Sequence, residues 1–158
     1  MNDCSNDDSG AIILSWINKT SINATLISNE INCGLEGSRK KALFRCSGKY
    51  VIFADSDDYF DQNYIKNFSE LYQCEPDLIL NSLIVEDEKL ENSFVVDDKY
   101  GKFGEIKKED AIKMLLENKG ISSYYPNKAF KRSLLKEEFF SWGKEPFEDI
   151  ATIHNIFF

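Results

Sequence analysis

The stretch KYVIFADSDDYF, residues 49–60, constrains this chain most. An apolar run ends in three aspartates within four positions, Asp55, Asp57 and Asp58. A continuous apolar run fits a strand buried on both faces, as in a parallel sheet, where alternation of polar and apolar residues is lost. A sheet covered on both faces belongs to the α/β class. In such open sheets ligands bind outside the carboxyl ends of the strands, and Asp55 stands at that end. Crowded carboxylates raise one another's pKa or need a cation nearby, so the cluster poses the question of a positive partner.

The remaining pattern alternates helices and strands. Residues 2–9 read as a polar loop. SGAIILSWINKT follows as a helix, with Ile12, Ile13, Trp16 and Ile17 at helical spacing and Ser9 as its N-cap. ATLIS (24–28) reads as a short strand. Residues 35–48 read as a helix with Leu35, Ala42, Leu43 and Cys46 inward, closed by Gly48. A helix is expected over 61–74, a strand over 77–87 with NSFVVDD as its partner, and a helix over 107–120 ended by Gly120. Residues 127–140 mix turn and helix signals, and 147–158 read as helix.

Composition narrows the function classes. The 158 residues suit one domain, taken here as 1–158. A net charge of −8 argues against general nucleic-acid or anionic-membrane binding. SRKK at 38–41 is the obvious local basic patch. Cys4, Cys33, Cys46 and Cys74 include no C-x-x-C pair, which argues against zinc and for reduced thiols in a cytosolic protein. The sequons at Asn18, Asn23 and Asn67 read as chance in a chain rich in Asn, Ser and Thr. No apolar stretch approaches the ~20 residues that span a bilayer. Both ends read as cuts through a larger domain.

If strand geometry continues, Asp55 and Asp57 share a face, roughly 6–7 Å apart, and Asp58 points elsewhere. Such a pair suits Mg²⁺ or Mn²⁺, which take one or two carboxylates plus phosphate oxygens. The alternative is an acidic turn capping the next helix through Asp58 or Asp61.

Residues 32–60, NCGLEGSRKKALFRCSGKYVIFADSDDYF, resemble the family-2 glycosyltransferases of GT-A fold. Asn32, Gly34, Ser38–Arg39, Gly48 and Asp55-Ser56-Asp57-Asp58 fall in register with that family's pattern. NDCSNDDS (2–9) is similar to its NDGSTDDS loop, NKAFKRSLL (127–135) to its NKLYKRELL segment, and FEDI (147–150) to its Glu-Asp motif. The resemblance implies a partial GT-A, Rossmann-like sheet flanked by helices, lacking the first strand–helix–strand. That missing piece would be about 30 residues or more. It implies transfer of a sugar, with inversion, from a nucleoside-diphosphate sugar, UDP by family habit, to a glycan or lipid-linked acceptor. Asp3 would contact the base, Arg39 would accompany the nucleotide, and Asp55 would hold the ribose. Asp57 would bind Mn²⁺ or Mg²⁺, and Asp58 would face the donor sugar. Asp149 would be the general base, with Glu148 beside it; on local sequence alone, Asp149 reads as a helix N-terminal carboxylate. The sole histidine, His154, reads as structural.

Two departures stand out: Cys4 replaces the family's usual Gly, and Ser38-Arg39-Lys40 replaces Ala-Arg-Asn. A truncated sheet would leave KYVIFAD with an open edge, inviting self-association. The alternative is therefore a non-catalytic remnant that binds metal or nucleotide weakly or self-associates. A nucleotidyltransferase is disfavoured by FEDI and NKAFKRSLL. Family habit places such a protein in the cytoplasm, in peripheral association with the inner face of the membrane.

Overall fold

The computed structural model describes residues 1–87, 92–96, 105–140 and 148–157. They fall into two compact units, Met1–Ser47 with Lys136–Glu148, and Gly48–Leu135 with Asp149–Phe158.

The first unit contains helices α1 (Ser9–Lys19) and α2 (Gly34–Leu43). Ser9 is the first helical residue of α1 rather than its cap, and its N–H donates to the Asp7 carboxylate at 3.0 Å. No residue of α1 is buried, and Ile12 is 66% exposed. The strand expected at 24–28 shrinks to one parallel bridge between Asn2 and Ser28. The pairing cannot extend because the chain leaves the extended region at Cys4, whose φ is 62°.

α2 overturns the expected apolar inner face. Leu35 is exposed, while Glu36, Gly37, Ser38, Arg39 and Lys40 are buried. Buried charges persist only when paired. Arg39 Nη1 donates to Glu36 Oε1 at 2.9 Å, and Lys40 Nζ donates to the Phe140 carbonyl at 3.4 Å. SRKK is therefore not an exposed basic patch.

The second unit is built on a three-stranded sheet of order β1-β5-β2. Its strands are β1 (Tyr50–Ile52), β2 (Leu78–Leu80) and β5 (Lys128–Lys131). Both ladders are antiparallel, with Val51 opposite Phe130 and Ile79 opposite Ala129. This corrects the parallel-sheet expectation: β1 and β2 share a direction, but β5 lies between them running the other way. Burial in β1 also alternates, with Val51 and Phe53 buried and Tyr50 and Ile52 half-buried. Among the described residues, β1 pairs with β5 alone.

The strand expected over 77–87 is two strands in different sheets. β3 (Leu83–Asp87) pairs with β4 (Asn92–Val96) as an antiparallel hairpin, so NSFVV is its partner as expected. Helices α3 (Tyr64–Tyr72), α4 (Lys108–Leu116) and α5 (Glu148–Phe157) complete the described elements. Residues 127–140 hide the central strand β5, followed by 3₁₀ turns at Arg132–Leu134 and Glu137–Phe139. The second unit's core comprises Val51, Phe53, Ile79, Ile121, Tyr125, Ala129, Phe130, Leu135, Ile153 and Phe157. Each large apolar side chain buried there contributes about 1.5–3 kcal/mol.

Candidate functional site

The acidic cluster occupies a turn immediately beyond β1. The Asp58 N–H donates to the Asp55 carbonyl at 3.2 Å, so Ser56 and Asp57 are the central residues. The strand ends at Ile52, and the pleat that would set Asp55 and Asp57 on one face does not reach Asp57. That expectation is corrected: a turn, not a pleat, gathers the carboxylates. Burial first, then the Asp55 and Asp57 charges, push the Asp58 carboxyl above its ordinary value.

The N-cap of α3 is Asn63, with no side-chain cap hydrogen bond, so the expected capping by Asp58 or Asp61 does not occur. The Asn63 N–H donates to the Asp61 carboxylate at 2.7 Å, and the Tyr64 N–H donates to the Asp61 carbonyl at 2.9 Å, just ahead of α3. Asp61 thus holds the turn leading into α3 without capping the helix.

Hard carboxylate oxygens gathered on one turn are the donor type that a divalent cation takes. Among the described residues, no group of three His, Cys, Asp or Glu side chains converges on a single ion position.

Other groups gather at this end of the sheet. The Asn81 N–H, just past β2, donates to the Asn127 carbonyl at 2.8 Å. Asn81 Nδ2 donates to the Tyr64 hydroxyl at 3.3 Å. Exposed Tyr59 follows Asp58, and its interaction with the Glu86 carboxylate raises its pKa. Asp149 is half-buried in the first turn of α5. Spacing of i, i+4 and i+8 sets it on the same helix face as buried Ile153 and Phe157. His154 is exposed in the last turn, where a cation suits the helix dipole. Phe147 of FEDI lies outside the described residues.

In the first unit, Asp3 is a hydrogen-bond hub. Its Oδ1 accepts Asn29 Nδ2 at 2.7 Å and the Cys33 N–H at 2.8 Å, and its Oδ2 accepts the Gly34 N–H at 2.9 Å. Burial pushes the Asp3 carboxyl up. Hydrogen bonds from Asn29, Cys33, Gly34 and Ser38 outweigh it and hold the pKa below its ordinary value. Asn29 extends the network, donating to Ser38 Oγ at 3.0 Å and accepting from Lys41 Nζ at 2.9 Å. Sequence reasoning missed Asn29, since an Asn in a polar loop carries no periodic signal. Asp3 and Arg39 thus lie in the first unit, with Arg39 ion-paired inside α2; Asp55, Asp57, Asp58 and Asp149 lie in the second.

Cys4 shows why the resembling motif carries glycine there. Its φ of 62° is the left-handed conformation that glycine adopts without steric cost.

Residues 1–139 match the profile of glycosyl transferase family 2. The chain belongs to that family. The match includes Asp3, Arg39, Asp55, Asp57 and Asp58 and ends before Asp149. A curated relative, the glycosyltransferase GlyA of Streptococcus pneumoniae serotype 4, is 30% identical over 83 residues. The alignment covers 52% of this chain and 12% of that protein, so this family-2 chain spans a small part of its relative's length. Family membership carries the GT-A fold, and the mixed α/β architecture described above is consistent with it.

Proposed function

We propose that the chain acts in the metal-dependent transfer of a sugar from a nucleoside-diphosphate sugar, a UDP-sugar foremost, to an acceptor hydroxyl with inversion. The observation that carries this reading is the Asp55–Asp58 turn, which sets three aspartates at the carboxyl end of β1. Asp57 holds Mn²⁺ or Mg²⁺, Asp55 the ribose, and Asp58 the donor sugar. Asp3 and Arg39 belong to the first unit, where Asp3 holds Asn29, Cys33 and Gly34 and buried Arg39 pairs with Glu36, so neither takes part in this reading. When bound, the ion offsets charge on the diphosphate oxygens.

Asp149 is the general base. Its carboxylate takes the acceptor's hydroxyl proton as that oxygen bonds to the anomeric carbon. The bond from that carbon to the diphosphate breaks on the opposite face, and its electron pair leaves with the nucleoside diphosphate. Asp149→Asn keeps the shape and removes the base. In a transfer assay with UDP-sugars and glycan or lipid-linked acceptors, it should lower kcat at least 100-fold, with donor binding retained. Unchanged kcat would remove Asp149 from this role.

A second reading is favoured by β1, which pairs only with β5 among the described residues: the chain self-associates along this strand. Sedimentation would show a monomer if that reading is wrong. Glycan or lipid-linked acceptors also place the protein, as a proposal, at the cytoplasmic face of the membrane. No described helix is long and apolar enough to cross one.

A further inference from the structure

The second unit buries a lysine completely: Lys128, the first residue of β5, has no exposed surface. Its Nζ donates to the Tyr124 carbonyl and to Asn127 Oδ1, both at 2.6 Å. The distances are those of short, charge-assisted hydrogen bonds. Removing an ammonium from water costs several kcal/mol, and an apolar side chain of similar volume often serves stability as well or better. A position that keeps the charge asks for a reason other than stability.

Its place in the sheet supplies one. Lys128 is opposite Leu80, the last residue of β2. Its neighbour Ala129 is opposite Ile52, the last residue of β1. The ammonium thus belongs to the sheet end from which the chain runs on to Asp55. It closes the 124–128 turn, because the Lys128 N–H also donates to the Tyr125 carbonyl at 3.0 Å. Tyr125, fully buried inside that turn, sets its ring 4.8 Å from Phe53 in an edge-on contact. Phe53 is two residues before Asp55. A short physical path therefore runs from the Lys128 ammonium through the turn and two packed rings to the acidic loop.

We infer that Lys128 is a positioning residue for the Asp55–Asp58 loop, acting through Tyr125 and Phe53. The inference deepens the proposed role of that loop and rests on it for its functional meaning. The placement of the loop itself can be measured without any ligand.

The test uses the full chain and two variants, Lys128→Met and Leu135→Ala. Leu135 is buried in the same unit, beyond β5 in sequence and outside the 124–128 turn, and supplies a control for general destabilisation. Hydrogen–deuterium exchange is followed for peptides covering residues 53–60 and, as a reference, 64–72. Lys128→Met should raise exchange in 53–60 at least 10-fold while 64–72 rises no more than in Leu135→Ala. Equal changes in both variants overturn the inference. If Lys128→Met does not fold, Asn127→Ala removes one of the two side-chain and carbonyl acceptors. Wild-type exchange over 53–60 in that variant likewise overturns it. Mn²⁺ titration of the same samples separates the two claims. Wild type that binds no Mn²⁺ counts against the metal role, while the exchange result still decides the positioning role. Where wild type binds, Lys128→Met should weaken binding about 10-fold and Leu135→Ala should not.

Discussion

Replacing Asp3 should unfasten the start of α2 from the N-terminal loop. Its carboxylate takes two backbone N–H groups, from Cys33 and Gly34, and the side-chain amide of Asn29. Losing a side-chain acceptor at a helix start costs about 1 kcal/mol, with a range near 0.5–2. Stranding a donor of the buried Asn29 costs about 1–3 kcal/mol more. Asp3→Ala should therefore destabilise by about 2–4 kcal/mol, and Asp3→Asn, which keeps one acceptor oxygen, by about 1–2 kcal/mol. For a chain of this length 1 kcal/mol is about 2–4 °C of Tm, which predicts a drop of roughly 4–16 °C for the alanine variant. Circular dichroism melts of the three proteins measure it. The pH dependence has a fixed sign. The folded Asp3 pKa is below its ordinary 3.8, so its contribution is present above that value and fades as pH falls below it. The gap between wild type and Asp3→Asn should narrow on acidification below pH 4. An alanine variant within about 0.5 kcal/mol of wild type would refute the hub reasoning, since that is the scale of a surface substitution.

Two further outcomes follow from the same geometry. Cys4→Gly should stabilise the chain by about 0.5–1 kcal/mol. The left-handed conformation costs an L-residue about 1–2 kcal/mol, and glycine's larger unfolded-state entropy returns part of that; urea denaturation reads the difference. Asp58→Asn, without metal at neutral pH, should raise stability by about 0.2–1 kcal/mol, the scale of exposed charge interactions. Burial first, then the neighbouring charges of Asp55 and Asp57, make the folded Asp58 bind its proton more tightly than the unfolded chain does, so the cost of its charge grows as pH rises from about 4 through the raised pKa. A melting series from pH 4 to 7 should show the variant's advantage appearing over that interval.

The acidic turn and α5 were legible in sequence because their signals are local. A run of apolar residues ending in aspartates marks a strand end, and α5 announced itself by spacing. Asp149 lies on the face of α5 that carries buried Ile153 and Phe157. The sheet was harder to read. β5 is four residues, Lys-Ala-Phe-Lys, and its charged ends masked the central position of Ala129 and Phe130. β1's apolar run suggested two buried faces, but only alternate residues are buried. α2 misled most, because its buried residues are polar and charged. Part of that burial rests on partners distant in sequence, such as Phe140 for Lys40, which leave no periodic signal. The hydrogen bonds to Asp3 from residues 29, 33 and 34 are equally invisible to any periodicity.

The central claim is that Asp57 holds a divalent ion arriving with a nucleoside diphosphate. Thermal melts with UDP, with and without Mn²⁺, on wild type and Asp57→Ala test it most directly. Ligand at 100 times its Kd stabilises by about 2.7 kcal/mol, worth roughly 5–11 °C of Tm here. Wild type should show that rise only with UDP and Mn²⁺ together, and Asp57→Ala should lose it. Equal shifts in both proteins would contradict the metal role of Asp57, and no shift in either would favour a chain that has lost donor binding.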